Sequence, residues 1–186
     1  MALDDILEEA ELKMMKSVDV IKGEFASIRT GKATPALVEN VMVDYYGAKT
    51  RLRELAGISA PEARLLVVQP WDPTALAAVE KAIQSANIGL NPMNDGKIIR
   101  IPIPDMSEER RLDMVKVIKN ISEEGRVAIR NVRRDANHEL ETLYKSGSLP
   151  EDEKFRALKE VQEKTDEYIK EIDTLFKEKE EELLRI

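Results

Sequence analysis

Apolar residues recur along the first part of the chain at Leu3, Ile6, Leu7, Ala10, Met14, Val18, Ile21, Phe25 and Ile28. The steps are mostly three and four, the spacing of one stripe on a helix. Asp4 and Asp5 stand near its start, where negative charge suits the helix dipole. The stretch RTGKATP, residues 29–35, ends it. Gly31 permits a left-handed turn and Pro35 cannot continue a helix.

The same period returns after residue 106. Leu112, Val115, Ile118, Ile121, Gly125, Ala128, Ile129, Val132, Ala136, Leu140 and Leu143 carry a stripe to about residue 146. Ser107 is half of a capping box, and Glu108 and Glu109 suit a first helical turn. SGSLPED makes a turn, with Pro150 opening a last helix whose stripe is Phe155, Leu158, Val161, Thr165, Ile169, Ile172, Phe176 and Leu183.

Between these helices the pattern changes. Seven of the eight prolines fall in residues 31–105. ENVMVDYYG, KTRLREL, ARLLVVQP and KIIRIPIP are short alternating or β-branched runs bounded by turn residues. DPTALAAVEKAIQSAN reads as a helix with Asp72 as N-cap and Pro73 at its first position.

Three long stripes need one shared core, and a short connection makes the last two helices antiparallel. The prediction is an α+β protein. A long three-helix bundle is built from 1–29 and 106–186, and a small β/α/β domain, 30–105, is inserted at one end. The chain crosses between them near 30–35 and 102–106. Thr30, Gly31, Pro35, Pro102, Pro104 and Asp105 are the candidate hinge residues.

Composition narrows the chemistry. There is no cysteine, hence no disulfide and no thiolate ligand or nucleophile. Aromatic residues are 4 %, too few for a base-stacking platform. No apolar run is long enough to span a bilayer, and the acidic, amphipathic start is unlike a targeting peptide. A cytoplasmic protein away from membranes is expected. No catalytic constellation, metal site or cofactor motif is found. His138 is the only histidine, a surface or capping residue. GLNPMNDGK lacks phosphate-loop spacing and reads as a turn. Trp71 lies between a strand and a helix, where packing is its simplest role.

One stretch stands apart. In RVAIRNVRRDAN, residues 126–137, Arg126, Arg130, Arg133 and Arg134 crowd onto or beside one helical face of a chain with net charge −7. Val127, Ala128, Ile129 and Val132 supply an apolar side. Intrahelical pairing, Glu123 with Arg126 and Arg130 with Asp135, is one explanation. The other is recognition of an anionic partner, either RNA phosphates, which suit the planar guanidinium fork, or an acidic protein.

RTGKATP at 29–35, DYYG at 44–47, GLNP at 89–92, SEERR at 107–111 and RVAIRNVRRDAN at 126–137 together resemble the ribosome recycling factor family, in order and spacing across essentially the whole chain. Lys32 and Thr34 stand where that family often has Arg and Ser. The resemblance implies an L-shaped, two-domain monomer with a mobile β/α/β domain. It implies a non-enzymatic translation factor that binds the post-termination ribosome. With elongation factor G, and GTP hydrolysed by that partner, such a factor splits the subunits. It further implies contacts to large-subunit ribosomal RNA by Arg130 and Arg133, with Arg126, Arg134, Arg29 and Arg111 as further candidates.

Overall fold

The computed structural model describes residues 2–185. The chain forms two compact units, one of Met1–Phe25 with Leu112–Ile186 and one of Ala26–Arg111. Three helices build the first: α1, Leu3–Ser27, α4, Glu108–Lys145, and α5, Glu151–Leu184. At 38 residues, α4 is about 57 Å long. Ser107 caps it, its Oγ accepting from the Arg110 amide at 3.2 Å. Pro150 is the N-cap of α5 rather than its first helical residue, held at φ −63° and ψ 152°.

Contacts fix how the helices run. Arg126, Arg133 and Glu141 of α4 meet Asp173, Gln162 and Lys154 of α5, so these two helices are antiparallel. Lys164 and Glu171 of α5 meet Glu11 and Lys22 of α1, so α1 runs parallel to α5. The core is the predicted stripes: Ile6, Ala10, Met14, Val18, Ile21 and Phe25 against Ile118, Ile129, Leu140, Val161, Ile172 and Leu183, all buried. Two hydroxyls lie inside it. Ser122 and Thr165 are fully buried, and each donates to the carbonyl four residues back, Ile118 and Val161, at 2.7 Å. Local bonding of this kind removes the penalty of an orphaned polar group.

The stripes fail at two positions. Phe155 is 60 % exposed and Leu112 50 % exposed. Both are the fifth residue of their helices. Val127 is also exposed, on the side of α4 away from Ile129.

The second unit holds six strands. β1, Met42–Tyr45, and β2, Ala48–Arg51, form a hairpin, with Tyr45 opposite Ala48. Its two turn residues, Tyr46 and Gly47, both have positive φ, 49° and 80°, the type I′ geometry that matches strand twist. A four-stranded antiparallel sheet has the order β3-β4-β6-β5: Ala56–Glu62, Leu65–Pro70, Ile99–Pro102 and Met93–Asn94. Short helix α2, Leu52–Leu55, joins the hairpin to the sheet. KTRLREL therefore breaks at Leu52 into strand and helix, and β3 comes from AGISAPE, which lies outside the predicted strand runs. Helix α3, Leu76–Ser85, packs on the hairpin through Val79 and Ile83, over a core with Val43, Leu66, Val68, Ile99 and Ile101. Asp72 caps as expected, accepting from the Thr74 amide at 2.9 Å, but the first turn, Pro73–Ala75, is a 3₁₀ turn.

Candidate nucleic-acid interface

The arginine stretch lies in the middle of α4, where the apolar stripe is buried against α1 and α5 and fixes the rotation of the helix. At about 100° per residue, Arg133, Arg126, Arg130 and Arg134 fall in that order on an arc of about 100°. The structure brings these four together on one unit. Their surroundings differ.

Arg126 is half-buried, its side chain 20 % exposed. Its Nε and Nη2 donate to one oxygen of Asp173, at 2.8 and 2.7 Å, and its Nη1 donates to Glu123 at 3.1 Å. These bonds tie α4 to α5. The two carboxylates outweigh burial and raise the Arg126 pKa. Arg130 is half exposed and donates to the other oxygen of Glu123 at 3.1 Å. It does not bond Asp135. Hydrogen bonds from Arg126 and Arg130 hold the Glu123 carboxyl below its usual range. Arg133 reaches across to α5, donating to Gln162 Oε1 at 3.2 Å, and Gln162 in turn donates to Asp166 at 2.8 Å. Arg134 is exposed. Intrahelical pairing thus accounts for part of the stripe, centred on Glu123, and among the described residues leaves Arg133 without a carboxylate partner.

Arg29 and Arg111 belong to the second unit. Arg29 is half-buried beside Gly89: a Cβ built on Gly89 would stand 2.8 Å from Arg29 Nη1, and the Gly89 φ is +71°. Only glycine meets both conditions, which links the RTGKATP and GLNP segments. Arg111 is half-buried in the first turn of α4.

The candidate hinge segments are stitched to the turn between β3 and β4. The Ala33 amide donates to Ala63 O at 2.7 Å, and the Ile103 amide to Arg64 O at 2.8 Å. Arg64 Nη1 donates to Asp105 at 2.6 Å, and Nη2 pairs with the same carboxylate. Thr30 is buried and Gly31 has φ +82°. Pro35 opens a 3₁₀ turn, and Pro102 ends β6 one residue after buried Ile101, with Pro104 exposed beyond it.

Elsewhere the chemistry is sparse. His138 is exposed and its carbonyl accepts from Thr142 Oγ1. In GLNPMNDGK, Asn94 and Asp95 accept backbone amide bonds from Gly96, Lys97 and Ile98, a turn as expected. Trp71 is 70 % exposed and lies against Gly57. Among the described residues no cluster of His, Cys, Asp or Glu has the arrangement of a metal site. No helix among them is long and apolar enough to cross a membrane.

The described residues thus form a long helical bundle with a guanidinium stripe and a small α+β unit, a combination shared with proteins of one family. The sequence profile of the family described as "Ribosome recycling factor" matches residues 21–184. The ribosome-recycling factor of Pelotomaculum thermopropionicum is 53 % identical over 182 residues, covering 98 % of each chain. That of Carboxydothermus hydrogenoformans is 52 % identical over 184 residues, covering 99 % of this chain and all of the other. A solution structure of a ribosome recycling factor superposes with a TM-score of 0.82 at 44 % identity, over 100 % of this chain and 99 % of the other. The T. thermophilus ribosome recycling factor, described with E. coli elongation factor G bound to the E. coli post-termination complex, superposes at 0.71 with 46 % identity and full coverage of both chains. The chain belongs to the ribosome recycling factor family.

Proposed function

We propose that this protein binds the post-termination ribosome and, with elongation factor G and GTP, splits the subunits so that ribosomes are recycled from mRNA. The observation that carries this is full-length similarity to ribosome-recycling factors, joined to a likeness to a relative described on the post-termination complex with elongation factor G. GTP is hydrolysed by the partner, and the chain acts in the cytoplasm as a monomer.

Within that function the arginine arc of α4 is the face for large-subunit ribosomal RNA. Arg130, Arg133 and Arg134 are its contact residues. Their forks suit phosphate, and phosphate contacts set position without reading sequence. Arg126, held by Asp173 and Glu123, orients the surface from beneath. Arg29 and Arg111 add contacts from the second unit. The units reorient during splitting. Residues 33 and 103–105 are bonded to the 63–64 turn and travel with the second unit. The pivot is then confined to the segments before Ala33 and after Asp105. A subunit-splitting assay with purified ribosomes, elongation factor G and GTP tests the function. No splitting by the wild-type protein would refute it.

A further inference from the structure

Between Lys116 and Arg134 the chain has six basic residues and only two acids, Glu123 and Glu124. One residue of helix is about 100° of rotation, so Glu124 lies well round from Glu123. Glu123 projects between Arg130 and Arg134 and is the only carboxylate of α4 on the arginine arc in this stretch. Its two oxygens take Arg126 Nη1 and Arg130 Nη1, each at 3.1 Å. Arg126 does not need it, since Asp173 already holds two of its nitrogens. We infer that Glu123 is a specificity-determining residue: an anion built into the phosphate-binding arc, which occupies Arg130 in the free protein and must yield it to a phosphate on docking. This rests on the RNA-facing role proposed above for the arc.

The physical case has two parts. Glu123 and Arg130 are both about half exposed, and exposed pairs of this kind are worth little, so Arg130 is surrendered cheaply to a well-placed phosphate. The carboxylate itself stays on the arc and repels any anion that lies over it. A rigid RNA surface whose phosphates meet Arg130, Arg133 and Arg134 can straddle that point. A flexible polyanion, which binds by following a continuous positive field, meets the interruption wherever it settles. Glu123 therefore costs non-cognate polyanions more than the ribosome. An acidic chain with one basic stripe gains selectivity by this means without further contacts.

Glu123→Gln tests it, because the amide keeps the shape of the side chain and one of its two acceptor oxygens while the charge is gone. Binding to vacant ribosomes and to poly(U) is measured for the wild type, Glu123→Gln, Glu123→Ala, Arg130→Ala and the Glu123→Gln, Arg130→Ala pair. Circular dichroism confirms that each is folded. Glu123→Gln is expected to bind poly(U) about two- to fivefold tighter, the range of an exposed charge pair. The ribosome-to-poly(U) affinity ratio falls, Glu123→Ala changes it in the same direction, and the gain shrinks in the pair. If Arg130→Ala weakens ribosome binding but Glu123→Gln and Glu123→Ala keep the wild-type ratio or raise it, the role of Glu123 is wrong and the interface stands. If Arg130→Ala binds ribosomes like the wild type, the arc is not the interface and the role of Glu123 falls with it.

Discussion

At Gly125 of α4, side chains of both α1 and α5 press against the backbone. A Cβ there would stand 2.8 and 2.9 Å from Ile21 Cγ1 and Cδ1 of α1 and 3.0 Å from Ile172 Cδ1 of α5. Alanine in mid-helix gains about 1 kcal/mol of propensity over glycine, whereas overpacking a core costs about 1–3 kcal/mol. Both isoleucine tips are boxed into the core, so packing wins. Gly125→Ala is expected to lower stability by about 1–2 kcal/mol, read as a lower denaturation midpoint with an unchanged slope; a higher midpoint would show that the helices move apart freely. The arginines separate in the same way. Arg133→Ala loses only an exposed bond to the neutral Gln162 and is expected to leave the melting temperature unchanged. Ribosome binding falls by at least tenfold if the lost contact is a dry charge-assisted bond of about 1.5–3 kcal/mol. Arg126→Ala is the converse, because it breaks the interhelical tie to Asp173 and frees Glu123 on its own helix. It should lower the melting temperature while weakening ribosome binding less than Arg133→Ala does. Equal effects of the two variants on stability and binding would dissolve the distinction between contact and scaffold.

At the scale of elements, what was legible in the sequence is what repeats locally. The helices of the bundle follow from their three- and four-residue steps, and Ser107 and Asp72 announce their caps because a cap lies within three residues of what it bonds. What was hidden depends on distant partners. Arg126 looks like any member of the arginine run, since Asp173 lies 47 positions away. Phe155 looks like core because nothing in the α5 stripe says where α1 and α4 stop covering it. β3 escaped notice since AGISAPE has two alanines, a glycine and a proline, and becomes a strand by pairing with β4 at Ala56–Pro70 through Ser59–Val67. The loop before α3 gives a test that belongs to this scale. Asp72 accepts from the Thr74 amide and hydroxyl and from Tyr45 Oη at 2.9 Å, which ties the β1-β2 hairpin to the start of the α3 region. These bonds hold its carboxyl below the usual range and push the Tyr45 hydroxyl up. A carboxylate with a lowered folded pKa stabilises the fold above its ordinary pKa, and that contribution is lost as pH falls through the lowered value. Asp72→Asn is therefore expected to melt earlier than the wild type at neutral pH, with the gap closing in strong acid. A gap that stays constant with pH would assign the effect to something other than the charge.

The whole molecule poses the question of motion. Each unit has its own buried core, and the bonds from Ala33, Ile103 and Asp105 to the 63–64 turn make both crossing strands part of the second unit. A rotation that preserves both cores must be absorbed by the few residues on either side, among them Gly31, whose φ of +82° is open to glycine at no steric cost. The hypothesis is that the bundle docks through its arginines while the second unit turns, and that the turn is required for splitting. The chain has no cysteine, so one thiol can be placed on each unit without interference. Ser59→Cys on β3 and Glu178→Cys on α5 are both exposed, and carry a donor and an acceptor dye. Energy transfer is recorded for the free protein, on the post-termination ribosome, and after elongation factor G and GTP are added. The expected outcome is a shift in transfer efficiency on the last addition that precedes subunit separation, in a doubly labelled protein that still splits ribosomes. The Gly31→Val variant, in which a β-branched residue must hold a left-handed φ, should bind ribosomes through Arg130 and Arg133 yet show a slower shift and slower splitting by the same factor. Splitting at the wild-type rate with an unchanging transfer efficiency would show that the units act as one body, and the moving-domain mechanism would be wrong for this protein.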